Sequence, residues 1–241
     1  MIGVEEIEAS AVIPVYNDRP ALETAIPVSL EALFGCCKSF ELIIAEDGST
    51  DGSAELVREW EQKDHRVRLL HRDLRQGRGT ALNRAFSEAK GKIVCYYDVD
   101  LATDMRHLPR LIGAIREGYD IATGSRLMPE SDITRSGGRE VASRGYNTLV
   151  RLILRSRLYD HQCGFKAFSR ERLMALIPLV RDGHWFWDTE VLVRAQRKGY
   201  RILEFPVHWT EGKGTTVRKN DVISMGRAIL RLWWQLHVEK D

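Results

Sequence analysis

The sequence predicts an α/β fold, with a Rossmann-like, mostly parallel central sheet and helices on both faces. Short β-rich apolar runs alternate with amphipathic segments of helical period along most of the chain. Alternation of this kind builds a parallel sheet, because each crossover helix must return the chain to the same end of the sheet. At 241 residues and 44% apolar content there is material for a sizeable core.

The elements follow in order. SAVIPVY (10–16) reads as the first strand, and 20–33 as a helix. FELIIAED (40–47) is a second apolar run, leading into a helix over 53–63. VRLLHR (67–72) precedes a helix over 79–89, and KIVCYYDVD (92–100) precedes a helix over 105–117 with Thr103 and Asp104 as N-cap candidates. YDIATGS (119–125) closes this alternation. The second half differs: a Ser/Gly-rich connection PESDITRSGG, a helix over 139–157, the segment HQCGFKAFSR, a helix over 188–198, a strand YRILEFPVHW and a final helix from 220. TRSGGRE and TEGKGTTVRKN read as loops, because small polar residues bury little. A single domain over 1–241 is expected, with 1–126 and 127–218 as halves and 219–241 as an amphipathic helix.

In such a sheet, ligands bind at the carboxyl ends of the strands. Three strand ends here carry polar residues: VIPVYND, EDGSTDG and DVDLATD. Side chains alternate along a strand, so Asp98 and Asp100, two residues apart in KIVCYYDVD, point the same way and can share one ligand. Paired carboxylates repel unless a cation lies between them, and Mg²⁺ or Mn²⁺ takes one or two carboxylates plus water and phosphate oxygens. A metal–diphosphate site is the expectation. Asp104 reads as a cap, and Asp51 or Ser49 as another.

VIPVYND, EDGSTDG, RQGRGTALNRAFSEAKG and DVDLATD, in this order, resemble the family 2 glycosyltransferases of GT-A fold. GSR (124–126), DHQCGFKAF (160–168) and PVHWTEGKGTTVR (206–218) resemble the dolichyl- and polyprenyl-phosphate hexosyltransferases within that family. The resemblance implies a nucleotide-sugar donor, a polyprenyl-phosphate acceptor, Mg²⁺ or Mn²⁺, and inversion to a β-linked product. It further implies that Pro14, Tyr16 and Asp18 line the nucleotide pocket and that Asp47 hydrogen-bonds the base. Arg78 and Val99 would belong to the same donor site. Asp98 would hold the ribose or the metal, Asp100 the metal, and Arg126 and Arg218 phosphate groups. Some relatives carry Gln two residues past the second aspartate as a further ligand; here the position is Ala102, and Asp104 or water would substitute.

A lipid phosphate is ionised near neutral pH, so arginines that position it matter more than a base. Arg144, Arg151 and Arg155 would form one stripe on the 139–157 helix, either solvated or in contact with anionic lipid. For a sugar-hydroxyl acceptor, Asp188 or Glu190 in WFWDTEVL would instead serve as base, unless Asp188 caps its helix and Glu190 pairs with an arginine. Trp185, Phe186 and Trp187 stack on sugar or pack the core. A noncatalytic nucleotide-sugar-binding or membrane-docking module is the alternative of another class. A nucleotidyltransferase or dehydrogenase is disfavoured by the missing glycine-rich phosphate loop.

Net charge of +2 and pI near 8.3 do not mark a nucleic-acid binder. Cys36, Cys37, Cys95 and Cys163 show no metal spacing and read as reduced core residues. No uncharged run approaches the ~20 residues of a spanning helix, and the N-terminus is acidic. A cytoplasmic protein, peripheral at the cytoplasmic face of a membrane or docked to a membrane partner, is expected. The last helix, with Arg227, Arg231, Trp233 and Trp234, suits either an interface or packing.

Overall fold

The computed structural model describes residues 6–134, 137–211 and 219–238. Its strands are β1 (Ala9–Val15), β2 (Phe40–Glu46), β3 (Val67–Leu70), β4 (Ile93–Tyr97), β5 (Ile121–Ser125), β6 (Asp132–Thr134), β7 (Phe165–Ser169), β8 (Ile202–Pro206) and β9 (His208–Thr210). Its helices are α1 (Arg19–Cys36), α2 (Ser53–Lys63), α3 (Arg78–Glu88), α4 (Leu108–Arg116), α5 (Gly137–Leu154), α6 (Arg170–Leu176), α7 (Trp187–Arg197) and α8 (Lys219–His237).

Seven strands form one sheet in the order β3-β2-β1-β4-β7-β5-β8. All neighbours run parallel except β7, which pairs antiparallel with both β4 and β5. The expected mostly parallel α/β architecture is therefore present. β2 is buried along its whole length, as a strand covered on both faces must be. One face packs on α1, α2 and α4 through Leu22, Ile26, Val57, Leu108 and Ile112. The other packs on α3, α6 and α7 through Leu82, Phe86, Leu173, Trp187 and Leu192. A third cluster, with Val150, Leu154, Phe186, Ala228, Ile229 and Leu232, joins α5 and α8 to α7.

Several boundaries depart from the sequence reading, each for a physical reason. β4 ends at Tyr97, so Asp98 to Asp100 lie in a turn, with the Leu101 N–H bonded to Asp98 O. The alternation argument for these two side chains does not apply there. β7 falls inside HQCGFKAFSR, hidden by a lysine at its centre whose charge is balanced only in three dimensions. The last predicted strand splits at Val207, and its second half, β9, pairs with β6 in a parallel ribbon. α5 begins at Gly137, within the stretch read as a loop, and it ends at Leu154, leaving Arg155 in the left-handed region at φ 55°. The arginine stripe on this helix is thus Arg144 and Arg151. α6 has no counterpart in the sequence reading. Asp104 accepts the Arg106 N–H at 2.9 Å and caps a 3₁₀ turn ahead of α4, as expected. All four cysteines are thiols, Cys95 and Cys163 fully buried.

Candidate active site

β1, β2, β4 and β5 end at one edge of the sheet, and the antiparallel β7 begins there. Their loops bring the polar residues of four sequence segments to one rim.

The loops after β1 and β2 are tied together. Asn17, at φ 50°, donates its N–H to Ser49 Oγ at 2.9 Å and accepts the Thr50 N–H on Oδ1 at 2.7 Å. Asp51 accepts the Arg19 N–H at 2.8 Å and the Ser53 hydroxyl at 2.6 Å, which holds its carboxyl below the usual range despite partial burial. Asp47 accepts backbone N–H groups from Gln76 (3.0 and 3.1 Å) and Gly77 (2.8 Å), so its carboxylate fixes the start of α3. Glu46, fully buried, takes the Ser49 N–H and meets His71 Nδ1. Tyr16, 37% exposed, carries the Arg75 guanidinium over its ring at 4.0 Å. Pro14 sits near the end of β1, paired in register with Ala45, and Val99 packs half-buried against the first core.

The acidic turn after β4 holds an electrostatic conflict. Asp100 lies open to solvent yet among enough protein to be desolvated, and that desolvation, then Asp98, then Asp18, push its carboxyl upward. Asp98 and Asp18 are therefore both within electrostatic reach of Asp100 at the rim. Such a hard-oxygen set suits Mg²⁺ or Mn²⁺. Among the described residues no three His, Cys, Asp or Glu side chains form a metal-ligand cluster. The protein can then give one or two carboxylates, leaving the remaining positions to water and phosphate oxygens, which is how these ions bind. Asp104 is committed to Arg106 and its cap, so it does not replace the missing ligand at Ala102.

Arg78, from the start of α3, bridges two acids. Its Nη2 and Nε reach Asp98 Oδ1 at 2.7 and 3.2 Å, and its Nη1 reaches Asp188 Oδ2 at 2.6 Å. Asp188 Oδ1 also accepts Lys166 Nζ at 2.9 Å and the Tyr96 hydroxyl. Although burial alone would raise it, this company keeps the Asp188 carboxyl below its ordinary range. Asp188 does not cap α7, whose N-cap is Phe186. Glu190 accepts the Asp182 N–H and Arg194 Nε, each at 2.9 Å, within its own neighbourhood rather than from a loop arginine. Both carboxylates are buried with both oxygens occupied, which makes them poor bases. Phe186 and Trp187 are core residues, and Trp187 Nε1 donates to Asn83 at 2.8 Å; only Trp185 of the three keeps partial exposure.

At the end of β5, Arg126 forms a fork with Asp160: Nε to Oδ2 at 2.7 Å and Nη2 to Oδ1 at 3.0 Å. Arg126 lines a cavity of about 490 Å³ with Met128, Ile133, Arg144, Arg151 and Tyr159. The loop carrying Asp160 is rigid, since Glu204 accepts the Tyr159 and Asp160 N–H groups while His161 contacts Asn147 Oδ1 (2.8 Å) and Ser156 Oγ (2.7 Å). The Asp98 N–H donates to Gly164 O at 3.1 Å, four residues after Asp160, so the segment that carries the Arg126 partner also touches the acidic turn. Arg218 is outside the described residues.

Sequence reasoning missed Glu46, Arg75, Asp160, Lys166 and Glu204. Only Lys166 carried a local signal, a lone charge centred in the apolar run CGFKAF.

Residues 10–176 match the family described as Glycosyl transferase family 2. The chain is 53% identical over 239 residues to the glycosyltransferase AglD of Haloferax volcanii, covering 96% of this chain and 38% of that protein. It is 30% identical to the dolichyl-phosphate beta-glucosyltransferase of Dictyostelium discoideum, covering 95% of this chain and 75% of that one. Its fold matches the glucosyl-3-phosphoglycerate synthase of Mycobacterium tuberculosis solved with Mn²⁺, UDP and phosphoglyceric acid, at TM-score 0.70 and 20% identity over 95% of this chain and 78% of that one. The mannosyltransferase PcManGT of Pyrobaculum calidifontis, solved with GDP-Man and Mn²⁺, matches at TM-score 0.60 and 20% identity over 99% and 66% of the two chains. With its sheet, its acidic strand-end turn and this match over 10–176, the chain belongs to glycosyl transferase family 2.

Proposed function

We propose that the chain is an inverting glycosyltransferase, moving a hexosyl group from a UDP- or GDP-sugar to a polyprenyl or dolichyl phosphate, with Mg²⁺ or Mn²⁺ held by Asp100 and Asp98. The observation that carries this reading is Arg126, which lines a cavity with two further arginines and is forked to Asp160, on the segment whose Gly164 O accepts the Asp98 N–H. Its relatives include a dolichyl-phosphate beta-glucosyltransferase, which supports the acceptor class.

Residues 1–126 would hold the donor, with Tyr16 and Arg75 at the nucleotide and Asp47 fixing the loop beside it. When bound, the cation supplies stabilisation of charge on the departing diphosphate. Arg144 and Arg151 would take the acceptor phosphate in the cavity that Arg126 also lines. An acceptor phosphate oxygen attacks the anomeric carbon from the face opposite the diphosphate; the new C–O bond forms as the bond to the nucleoside diphosphate breaks. That oxygen is already ionised, so no proton needs removal, in keeping with the saturation of Asp188 and Glu190. A glycan-hydroxyl acceptor, which needs one of them as base, is disfavoured on the same ground.

A lipid acceptor requires an approach to the bilayer. No helix among the described residues is long and apolar enough to cross a membrane. α5 and α8 instead expose Leu152 (73%), Leu230 (60%) and Trp234 (50%) near Arg151, Arg227 and Arg231. We propose that these faces dock peripherally on an anionic cytoplasmic leaflet.

The test is transfer by the purified chain with Mn²⁺, labelled UDP- and GDP-sugars and a polyprenyl phosphate in detergent. Label in the lipid phase is expected. Label released only as free sugar, or moved only to glycan, would overturn the acceptor assignment, and no donor turnover at all would favour a noncatalytic binding module.

A further inference from the structure

Four charged side chains of alternating sign run in a line from inside the sheet to its acidic rim. Lys166, fully buried in β7, reaches Asp188 Oδ1 at 2.9 Å and Cys163 O at 2.5 Å. Asp188, from the first turn of α7, accepts Arg78 Nη1 on its other oxygen at 2.6 Å. Arg78 in turn gives its remaining edge to Asp98 Oδ1. Its guanidinium lies over two rings, 5.2 Å from the centroid of Tyr96 and 5.8 Å from that of Trp185. The four formal charges cancel, and each inner member has a partner on either side. Removing Asp188 would leave Lys166 as an uncompensated buried charge and Arg78 with Asp98 alone, so the inner part of the line depends on its partners.

The last link is clamped from behind as well. The Asp98 N–H donates to Gly164 O at 3.1 Å. A Cβ at Gly164 would overlap the Asp98 carboxylate, meeting Oδ2 and Cγ first. Asp98 is therefore held by Arg78 on one side, and its carboxylate occupies the space that the absent side chain of Gly164 leaves. Asp100 is tethered more lightly, its Oδ1 accepting the N–H of Ala102 at 3.1 Å within the same turn.

We infer that Asp188, Lys166 and Arg78 are positioning residues for the acidic turn, setting the direction of the Asp98 carboxylate from α7 and β7 rather than acting on the substrate. This rests on the reading of that turn as the site of a nucleoside diphosphate and its cation. Asp188 has the sequence position of a general base, but its chemistry here is that of an anchor: it holds the arginine that holds the ligand. Partners of this kind, one bond removed from a metal ligand, typically carry 10- to 100-fold of metal affinity.

The experiment uses Asp188→Asn, Arg78→Lys and the charge-balanced pair Asp188→Asn with Lys166→Met in the whole chain. Binding of UDP or GDP with Mn²⁺ is followed by calorimetry and bound Mn²⁺ by electron paramagnetic resonance, with thermal unfolding recorded beside them. Weakening of nucleotide and Mn²⁺ binding by about 10- to 100-fold in Arg78→Lys and in the folded Asp188 variants is expected. The balanced pair should recover thermal stability relative to Asp188→Asn alone without recovering affinity, which a purely structural role would not produce. Wild-type affinity and an unchanged Mn²⁺ signal in Arg78→Lys and the balanced pair would overturn the inference while leaving the proposed function standing. Unchanged affinity in the folded Asp188 variants, with a fall in kcat alone when the transfer assay of the proposed function is run on them, would return Asp188 to the role of base. Failure of the wild type to bind either nucleotide would remove both readings together.

Discussion

Arg126 and Asp160 meet edge to edge through two parallel hydrogen bonds, with the carboxylate fully buried and the arginine nearly so. Burial alone would raise the Asp160 carboxyl, yet the guanidinium beside it holds it well below the carboxylate range, and Asp160 pushes Arg126 upward in return. Asp160→Ala strands a buried arginine and is expected to cost about 3–5 kcal/mol, read as a lower urea midpoint. Arg126→Lys keeps the charge but loses the fork. It should retain donor affinity while raising KM for the lipid phosphate, because Arg126 also lines the cavity assigned to the acceptor.

The neighbouring His161 gives the acid limb of stability. Its imidazole is buried, and desolvation pushes its pKa down to about 4, only partly opposed by Asp160. A folded-state value below that of the unfolded chain means the unfolded state binds the proton first. Stability from this group is present above about pH 6.5 and is lost as pH falls toward 4, by about 3 kcal/mol at most. Below that, protonation of Asp160 removes more, since its folded value is lower still than its unfolded one. Urea midpoints at pH 7 and pH 4.5 check this. His161→Gln should flatten the difference, and an equal slope in the variant would contradict the assignment.

Gly48 has φ +80°, and a Cβ there would lie 2.7 Å from Arg75 N. Gly48→Ala should push back the loop that lays Arg75 over Tyr16, at a cost of about 1–2 kcal/mol. Donor KM should rise several-fold with kcat nearly unchanged, and steady-state kinetics on both substrates would show it.

Leu152→Glu with Trp234→Glu removes apolar area from the proposed docking faces without touching the strand-end residues. Cosedimentation with vesicles containing anionic lipid should drop at least tenfold, while transfer to a short, detergent-soluble polyprenyl phosphate should persist. Undiminished vesicle binding would place the docking surface elsewhere.

The first half of the fold was legible because each strand and helix there satisfies its own periodicity, and the acidic strand ends follow from that layout. β7 and α7 were harder. Lys166 breaks the apolar run of β7, and its partner Asp188 is distant in sequence, so neither residue explains itself locally. Asp188 and Glu190 look like bases in sequence because their type and position allow it; only the three-dimensional contacts reveal that both are used up by cations and amides. Asp98 and Asp100 do act on each other, but not through the alternation of a strand: a turn brings them together, and periodicity does not see turns.

The most direct measurement is calorimetric titration of UDP and GDP into the wild type and Asp100→Asn, each with and without Mn²⁺. One nucleotide should bind the wild type in a Mn²⁺-dependent manner, and Asp100→Asn should lose that dependence while unfolding at no lower temperature, because its carboxylate is already disfavoured by desolvation and by Asp98 and Asp18. Binding of equal strength with and without Mn²⁺, or in Asp100→Asn as in the wild type, would contradict a cation held at the acidic turn.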